Sequence, residues 1–304
     1  MELRDIEYFA VVAEHGSIGR AAEALDMSQP ALSKSLRRLE QSIHAKVVQR
    51  TTKGVALTAV GRALLAQVNR LRLTMDDISR EAADLSAGHV GHLRIGTSSA
   101  FALHLVPKAC DAFLKEAPKA TLKIIVGGRI ADTLASVRNG ELDLAVTGIE
   151  APRHGDLVVE HLYDESYVIY ASAKHRLAKR RQLTLSDLVE ERWTLGATNS
   201  LVDRQLIQAF DNNSLPPPKI AIETANLPLR QRLVAASDLL AFGSREVARY
   251  AADRYRITEL PVKDLISSRR VGVVYRKDAY LPPVGRRFIE ILKATAKEIA
   301  AEKA

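Results

Sequence analysis

Gln29, Ser33, Lys34 and Arg37 are the first residues of this 304-residue chain whose types and spacing suggest chemistry. At helical intervals they put an amide, a hydroxyl, an ammonium and a guanidinium on one face, groups that bind base edges and phosphates. Leu32, Leu36 and Leu39 form the opposite, apolar stripe. Ser28 can cap this helix, and Pro30 fits its first turn, where a missing N–H costs nothing. From Met27 to Gly54 there are six Lys or Arg against one carboxylate, Glu40, whereas residues 1–26 carry two cations and six anions. The stretch is read as a DNA recognition helix. A second set of polar residues lies far downstream. Thr97-Ser98-Ser99, Thr147-Gly148 and Thr198-Asn199-Ser200 sit at the expected carboxyl ends of strands or starts of helices. Hydroxyls and amides beside free helix N–H groups suit a carboxylate or sulfonate. Ser98, Ser99, Arg129, Thr147, Gly148, Thr198, Asn199 and Ser200 are therefore the candidate contacts to a small organic anion, with Ser99 and Asn199 nearest its charge.

The first set needs a compact frame. Leu3, Ile6, Phe9, Ala10 and Ala13 recur at helical spacing, Gly16 stops that helix, and Ser17 can cap the next, over 18–25. A short turn then leads into the recognition helix, giving a helix-turn-helix. Residues 46–50 and 55–57 predict two short strands joined by Thr51-Thr52-Lys53-Gly54, a wing with a basic tip. Leu57, Gly61, Leu64, Val68, Leu71, Met75, Ile78, Ala82 and Leu85 follow at alternating steps of four and three. Such a heptad seam needs a partner, most simply a second copy of the chain. A homodimer presents two recognition helices to a two-fold operator. Gly88 and Gly91 supply a hinge beyond it.

The second set needs an α/β frame. Apolar runs at 93–97, 122–126 and 142–146 alternate with helical patterns at 101–116 and 130–138. A similar series follows with strands at 167–171, 220–223 and 239–242 and helices at 201–210 and 229–236. A late strand at 270–275 and a closing helix at 284–299 complete it. The alternation predicts an open, largely parallel sheet with helices on its faces.

Tyr8-Phe9, Gly16-Ser17, Ala21-Ala22, Leu25, Ser28-Gln29-Pro30-Ala31-Leu32-Ser33, Leu39-Glu40, Arg50, Gly54, Leu57-Thr58 and Gly61 stand in an order that resembles the LysR-type transcriptional regulators. The likeness continues through 93–96, Leu105-Val106-Pro107, Phe113, Pro118 and 140–146, and weakens beyond Ala171. His44 stands where the family usually has Gly, and Val47-Val48 replaces its common Leu-Phe. The resemblance implies an α+β multidomain chain: an N-terminal winged helix-turn-helix (1–58), a long linker helix for dimerisation (59–87), and a periplasmic-binding-protein-like α/β effector domain (90–304). Within the last, subdomain I is placed at 90–162 plus 267–304 and subdomain II at 163–266, with the ligand in the cleft between them. It also implies that Gln29, Pro30 and Ser33 approach base edges. Lys34, Arg37, Arg50, Thr51, Thr52 and Lys53 would meet phosphate or minor groove. A tetramer built through effector halves, and contact with RNA polymerase, belong to the same expectation.

The totals narrow the alternatives. A formal charge of +8 favours an anionic partner. Cys110 is the only cysteine, which excludes an internal disulfide and a Cys-rich zinc finger. No phosphate-binding glycine motif, HExxH or nucleophile elbow is present, so neither a cofactor nor an enzymatic activity is expected. The competing reading is a cleft-type ligand-binding protein or enzyme whose basic N-terminal segment does not read sequence. Met1-Glu2-Leu3-Arg4-Asp5 lacks the order of a secretory signal and no apolar run would span a bilayer, so a cytoplasmic protein without membrane contact is expected.

Overall fold

The computed structural model describes residues 2–51, 54–86, 91–149, 155–196, 201–263, 265 and 268–301. The chain forms two compact units, Met1–Ala83 and Asp84–Ala304.

In the first unit, α1 (Leu3–His15), α2 (Ile18–Ala24) and α3 (Gln29–Ser42) precede a hairpin of β1 (Val48–Thr51) and β2 (Gly54–Leu57), then α4 (Ala59–Ser86). Gly16 ends α1 at a left-handed φ of 59°, which a residue with a Cβ adopts only under strain. The Ala31 N–H donates to Ser28 Oγ at 3.4 Å, so α3 is capped as its sequence predicts. Phe9, Leu32, Leu36, Leu39 and Val47 form the core of the bundle. Asp5 ties α1 to α3 from inside: it is fully buried, accepts from Ser35 Oγ at 2.6 Å and from Arg38 Nε at 2.7 Å. Glu40 is likewise buried and accepts from the Val47 N–H and from Lys46. The hairpin is pinned to the helices because the Val55 N–H donates to the Gly16 carbonyl at 2.9 Å.

The linker helix divides its seam between two uses. Leu64, Leu65 and Val68 pack into the headpiece core. Leu71, Met75 and Ile78 lie farther along the 28-residue helix and are 40%, 48% and 60% exposed. The heptad reading treated these positions as one continuous seam. Only its second part is left uncovered within the chain. The Leu85 side chain and Gly88 lie outside the described residues.

The second unit holds β3 (His92–Thr97), α5 (Leu105–Glu116), β4 (Thr121–Val126), α6 (Ile130–Arg138), β5 (Leu144–Ile149), β6 (Leu157–Ser172), β7 (Arg192–Leu195) and α7 (Leu201–Asn212). It continues with β8 (Lys219–Glu223), α8 (Leu227–Ala236), β9 (Leu240–Ser244), α9 (Arg245–Tyr255), β10 (Ile257–Leu260), β11 (Ser268–Arg276) and α10 (Pro283–Ala301). The strand order is β4-β3-β5-β11-β6-β9-β7-β8, with β10 also on β6. One long strand, β6, belongs to both subdomains. It pairs with β11 from Leu157 to Ser166 and with β9 from Tyr167 to Tyr170.

The expected largely parallel sheet is instead mixed. β3, β4 and β5 run parallel, but β11 is antiparallel to both β5 and β6. The reason is connectivity: β6 and β11 carry the chain out of the first subdomain and back, without the helical crossover that a parallel neighbour requires. Three elements escaped the pattern reading: β7, α9 and β10. β7 and β10 are only four residues long, and α9 builds its buried face mainly from small residues, Ala248 and Ala251 beside Val247, in an otherwise charged segment. The expected helix over 101–116 is broken at His104, between a 3-10 turn and α5. Trp193, Phe242 and Phe101 are all buried in the cores.

Candidate DNA interface and effector cleft

On α3 the expected DNA-reading row faces solvent. Gln29, Pro30, Lys34 and Arg37 are exposed, and Ser33 is half-buried. Of the six cations counted between Met27 and Gly54, Arg38 and Lys46 are held by Asp5 and Glu40. Lys34 and Arg37 make no ion pair with any described residue. Thr51 is exposed at the end of β1. Thr52, Lys53 and the Arg50 side chain lie outside the described residues.

Two glycines and one histidine shape this unit. A Cβ on Gly54 would collide with the Gly16 carbonyl, and one on Gly61 with the Val47 carbonyl. Both therefore mark close backbone approaches that hold wing and linker against the bundle. His44 occupies a left-handed φ of 53° and is solvent-exposed. That turn suits glycine, so the departure at this position carries a conformational cost.

In the second unit a cavity of about 520 Å³ lies between the subdomains, with Gly148 and Arg269 on one side and Arg204 and Gln208 of α7 on the other. Its size is that of a small-molecule site. The first sheet explains its chemistry. Alternate residues of β3, β5 and β11 face the α5–α10 core as Leu93-Ile95, Leu144-Val146 and Val273-Val271. Continuing each row to the strand end gives Thr97, Gly148 and Arg269 on that same face. Glu165 of β6 is the register partner of Arg269. A polar rim thus closes the end of an apolar core.

Arg269 is the centre of that rim. Its Nε donates to Glu165 Oε2 at 3.0 Å, and its guanidinium carbon lies 5.4 Å from the ring centroids of both Phe101 and Tyr167. The Tyr167 hydroxyl donates to the same carboxylate oxygen at 3.1 Å. Burial, followed by the negative charge of Glu165, pushes the Tyr167 phenol well above its ordinary range, so it remains a donor. A Cβ on Gly148 would stand 2.7 Å from Arg269 Nε and Nη1. Gly148 therefore leaves the space in which the guanidinium sits. Arg269 has only 17% of its side chain exposed, and its terminal nitrogens have no acceptor among the described residues.

The effector candidates scatter around this feature. Gly148 lines the cavity, and Ile130, next to Arg129, does too. Ser98, Ser99, Arg129 and Thr147 are not among the lining residues. Ser98 Oγ and Thr97 Oγ1 are nonetheless buried without a hydrogen-bond partner among the described residues. Arg129 is exposed at the start of α6, and Thr147 is buried on the face of β5 opposite Gly148. Thr198, Asn199 and Ser200 lie outside the described residues. Arg269, Glu165 and Arg204 were not anticipated. A signal for Arg269 existed: it continues the Val271, Val273 alternation, which puts a cation on a core face. Among the described residues no group of three or more His, Cys, Asp or Glu could hold a metal ion, and no helix is long and apolar enough to cross a membrane.

Comparison with known proteins agrees with these arrangements. Residues 3–62 match the family described as "Bacterial regulatory helix-turn-helix protein, lysR family", and residues 86–297 match "LysR substrate binding domain". The HTH-type transcriptional regulator GbpR of Azospirillum brasilense is 30% identical over 301 residues, covering 97% of this chain and 87% of GbpR. PcaQ of Agrobacterium fabrum is 29% identical, covering 91% and 89%. The solved structure of CbnR, a LysR family transcriptional regulator, superposes with a TM-score of 0.63 at 23% identity, over 97% of this chain and 99% of CbnR. A winged helix-turn-helix, a linker helix and a two-part α/β half thus occur together in this chain as they do in that family. The protein belongs to the LysR-type transcriptional regulators, DNA-binding proteins with an effector-binding C-terminal domain.

Proposed function

We propose that this regulator reads a two-fold operator as a homodimer and that a small organic anion in the cleft controls it. The observation that carries the DNA side is the solvent-facing row of α3, where Gln29, Lys34 and Arg37 are exposed while the neighbouring Arg38 and Lys46 are engaged by carboxylates. Gln29, Pro30 and Ser33 take the base-edge role, and Lys34, Arg37, Arg50, Thr51, Thr52 and Lys53 the backbone or minor-groove role. A related protein, CbnR, has been solved in complex with its target DNA. The exposed Leu71, Met75 and Ile78 support pairing through the linker helix, since three large apolar groups at four-three spacing are costly to leave in water. Exposed Ile124, Ile125 and Val126 on edge strand β4 and Ile220 on edge strand β8 support further assembly between effector halves into a tetramer. RNA polymerase is the partner through which such an assembly would act on transcription.

For the cleft, the supporting observation is Arg269, a guanidinium seated beside a cavity, whose terminal donors meet no acceptor among the described residues. Ser98, Ser99, Thr147, Thr198, Asn199, Ser200 and Arg129 remain proposed contributors around it, together with Gly148. An anion that alters DNA affinity must have its own affinity altered by operator to the same degree, typically by about 1–3 kcal/mol. Leu71→Glu/Ile78→Glu tests the assembly. Sedimentation should show smaller particles and operator affinity should fall. An unchanged sedimentation coefficient would place the dimer contact elsewhere.

A further inference from the structure

The charge of the ligand is legible in the rim of the cleft, an inference that rests on the reading of this cavity as the effector site. Two guanidiniums, Arg204 and Arg269, line it, and no carboxylate does so among the described residues. Yet Arg269 is not an uncompensated cation. Glu165 is fully buried directly behind it, and its second oxygen, Oε1, has no hydrogen-bond partner among the described residues. A buried carboxylate so poorly solvated keeps its field. It acts on anything bound to the far side of the guanidinium. Among the described residues, two lining guanidiniums and this one carboxylate behind them leave a single positive charge for the ligand.

We infer that Glu165 sets ligand charge: the cleft takes a singly charged carboxylate, received by the terminal nitrogens of Arg269, and discriminates against dianions. Glu165 does not touch the ligand in this arrangement. It determines specificity through Arg269, whose position is fixed by the Phe101 and Tyr167 rings and by the space above Gly148. A planar carboxylate matches the paired N–H geometry of a guanidinium, and the neutralising partner behind it removes the need for a second negative charge in front.

The test uses the full chain and two matched pairs of probes, hexanoate against adipate and benzoate against terephthalate. Calorimetry and thermal shift are run at constant ionic strength up to tens of millimolar. Wild type should bind the monoacid of each pair more tightly. Glu165→Gln, which keeps the side-chain shape and removes the charge, should shift the monoacid-to-diacid preference toward the diacid by on the order of tenfold, the effect one nearby like charge commonly has on a neighbouring ionisation. The melting temperature of unliganded Glu165→Gln establishes that it is folded. Gly148→Ala displaces the guanidinium without changing net charge, so it should weaken both members of a pair and leave their ratio nearly unchanged. Diacids binding as well as monoacids in wild type, an unchanged ratio in Glu165→Gln, or no response of wild type to any of the four probes would overturn the inference. The uncharged amides hexanamide and benzamide separate this from the broader reading. If they bind as well as the acids, the anionic cleft itself fails. If the acids win but charge number is ignored, only the role of Glu165 fails.

Discussion

Lys34 and Arg37 stand on the open face of α3 without a carboxylate partner among the described residues, while Arg269 lies against two rings and is bound to a buried Glu165. The two regions use the same kind of charge for different ends. Exposed cations on a helix bind a polyanion through counterion release, so their contributions are long-ranged, nearly independent and weakened by salt. A seated guanidinium acts at contact range, and everything that fixes it becomes part of the site. The headpiece should therefore tolerate substitution one residue at a time, whereas the cleft should respond as a unit.

The largest effect is expected from Arg269→Ala, which strands Glu165 as a buried, unpaired charge. Chemical denaturation should show a loss of about 3 kcal/mol, of which Glu165→Gln in the same chain restores part. Full additivity of the two changes would show that the pair is not coupled. In the headpiece, Asp5 offers a contrasting test. Its hydrogen bond from Arg38 holds its carboxyl below the ordinary range. A depressed folded pKa contributes stability above the unfolded value, near 3.9, and loses it as pH falls through the folded value. Asp5→Asn should thus melt lower than wild type at neutral pH, and the difference should shrink as pH falls below the unfolded value. A constant difference across that range would remove the ion pair from the explanation. The smallest effect is expected at His44, where Gly should relieve the left-handed strain and raise stability by about 0.5 kcal/mol, net of the greater freedom glycine gives the unfolded chain. A lower melting temperature for His44→Gly would mean that the imidazole makes a contribution its exposure does not suggest.

The same contrast explains what was readable before the structure. The headpiece's proposed DNA interface lies on one helix face, so Gln29, Ser33 and Arg37 share a period that can be counted along the chain. Its caps at Ser17 and Ser28 were equally local and are found as hydrogen bonds. The cleft assembles Gly148, Glu165, Arg204 and Arg269 from β5, β6, α7 and β11. No interval in the sequence links these residues. Serine and threonine at strand ends were visible, but the cation that dominates the rim depended on knowing that β11 returns beside β5 and β6. The mixed sheet was hidden for the same reason: strand direction follows from connectivity, and only the second half of β6, 167–171, reads as an apolar run before its change of partner is seen. The linker showed a related limit, since periodicity revealed the whole seam but not that Val68 is already spent on the headpiece core.

The central claim is that α3 reads bases while its cations hold the backbone, and one measurement addresses it directly. Binding of the full chain to operator and to random duplex DNA, titrated across salt, is compared between wild type, Gln29→Ala and Lys34→Ala. The account predicts that Gln29→Ala loses about 1–3 kcal/mol on operator, keeps its random-DNA affinity and keeps its salt slope. It predicts that Lys34→Ala weakens both DNAs evenly and lowers the slope by about one ion. Equal losses on operator and random DNA in Gln29→Ala, with a reduced slope, would contradict the assignment of base reading to this face of α3.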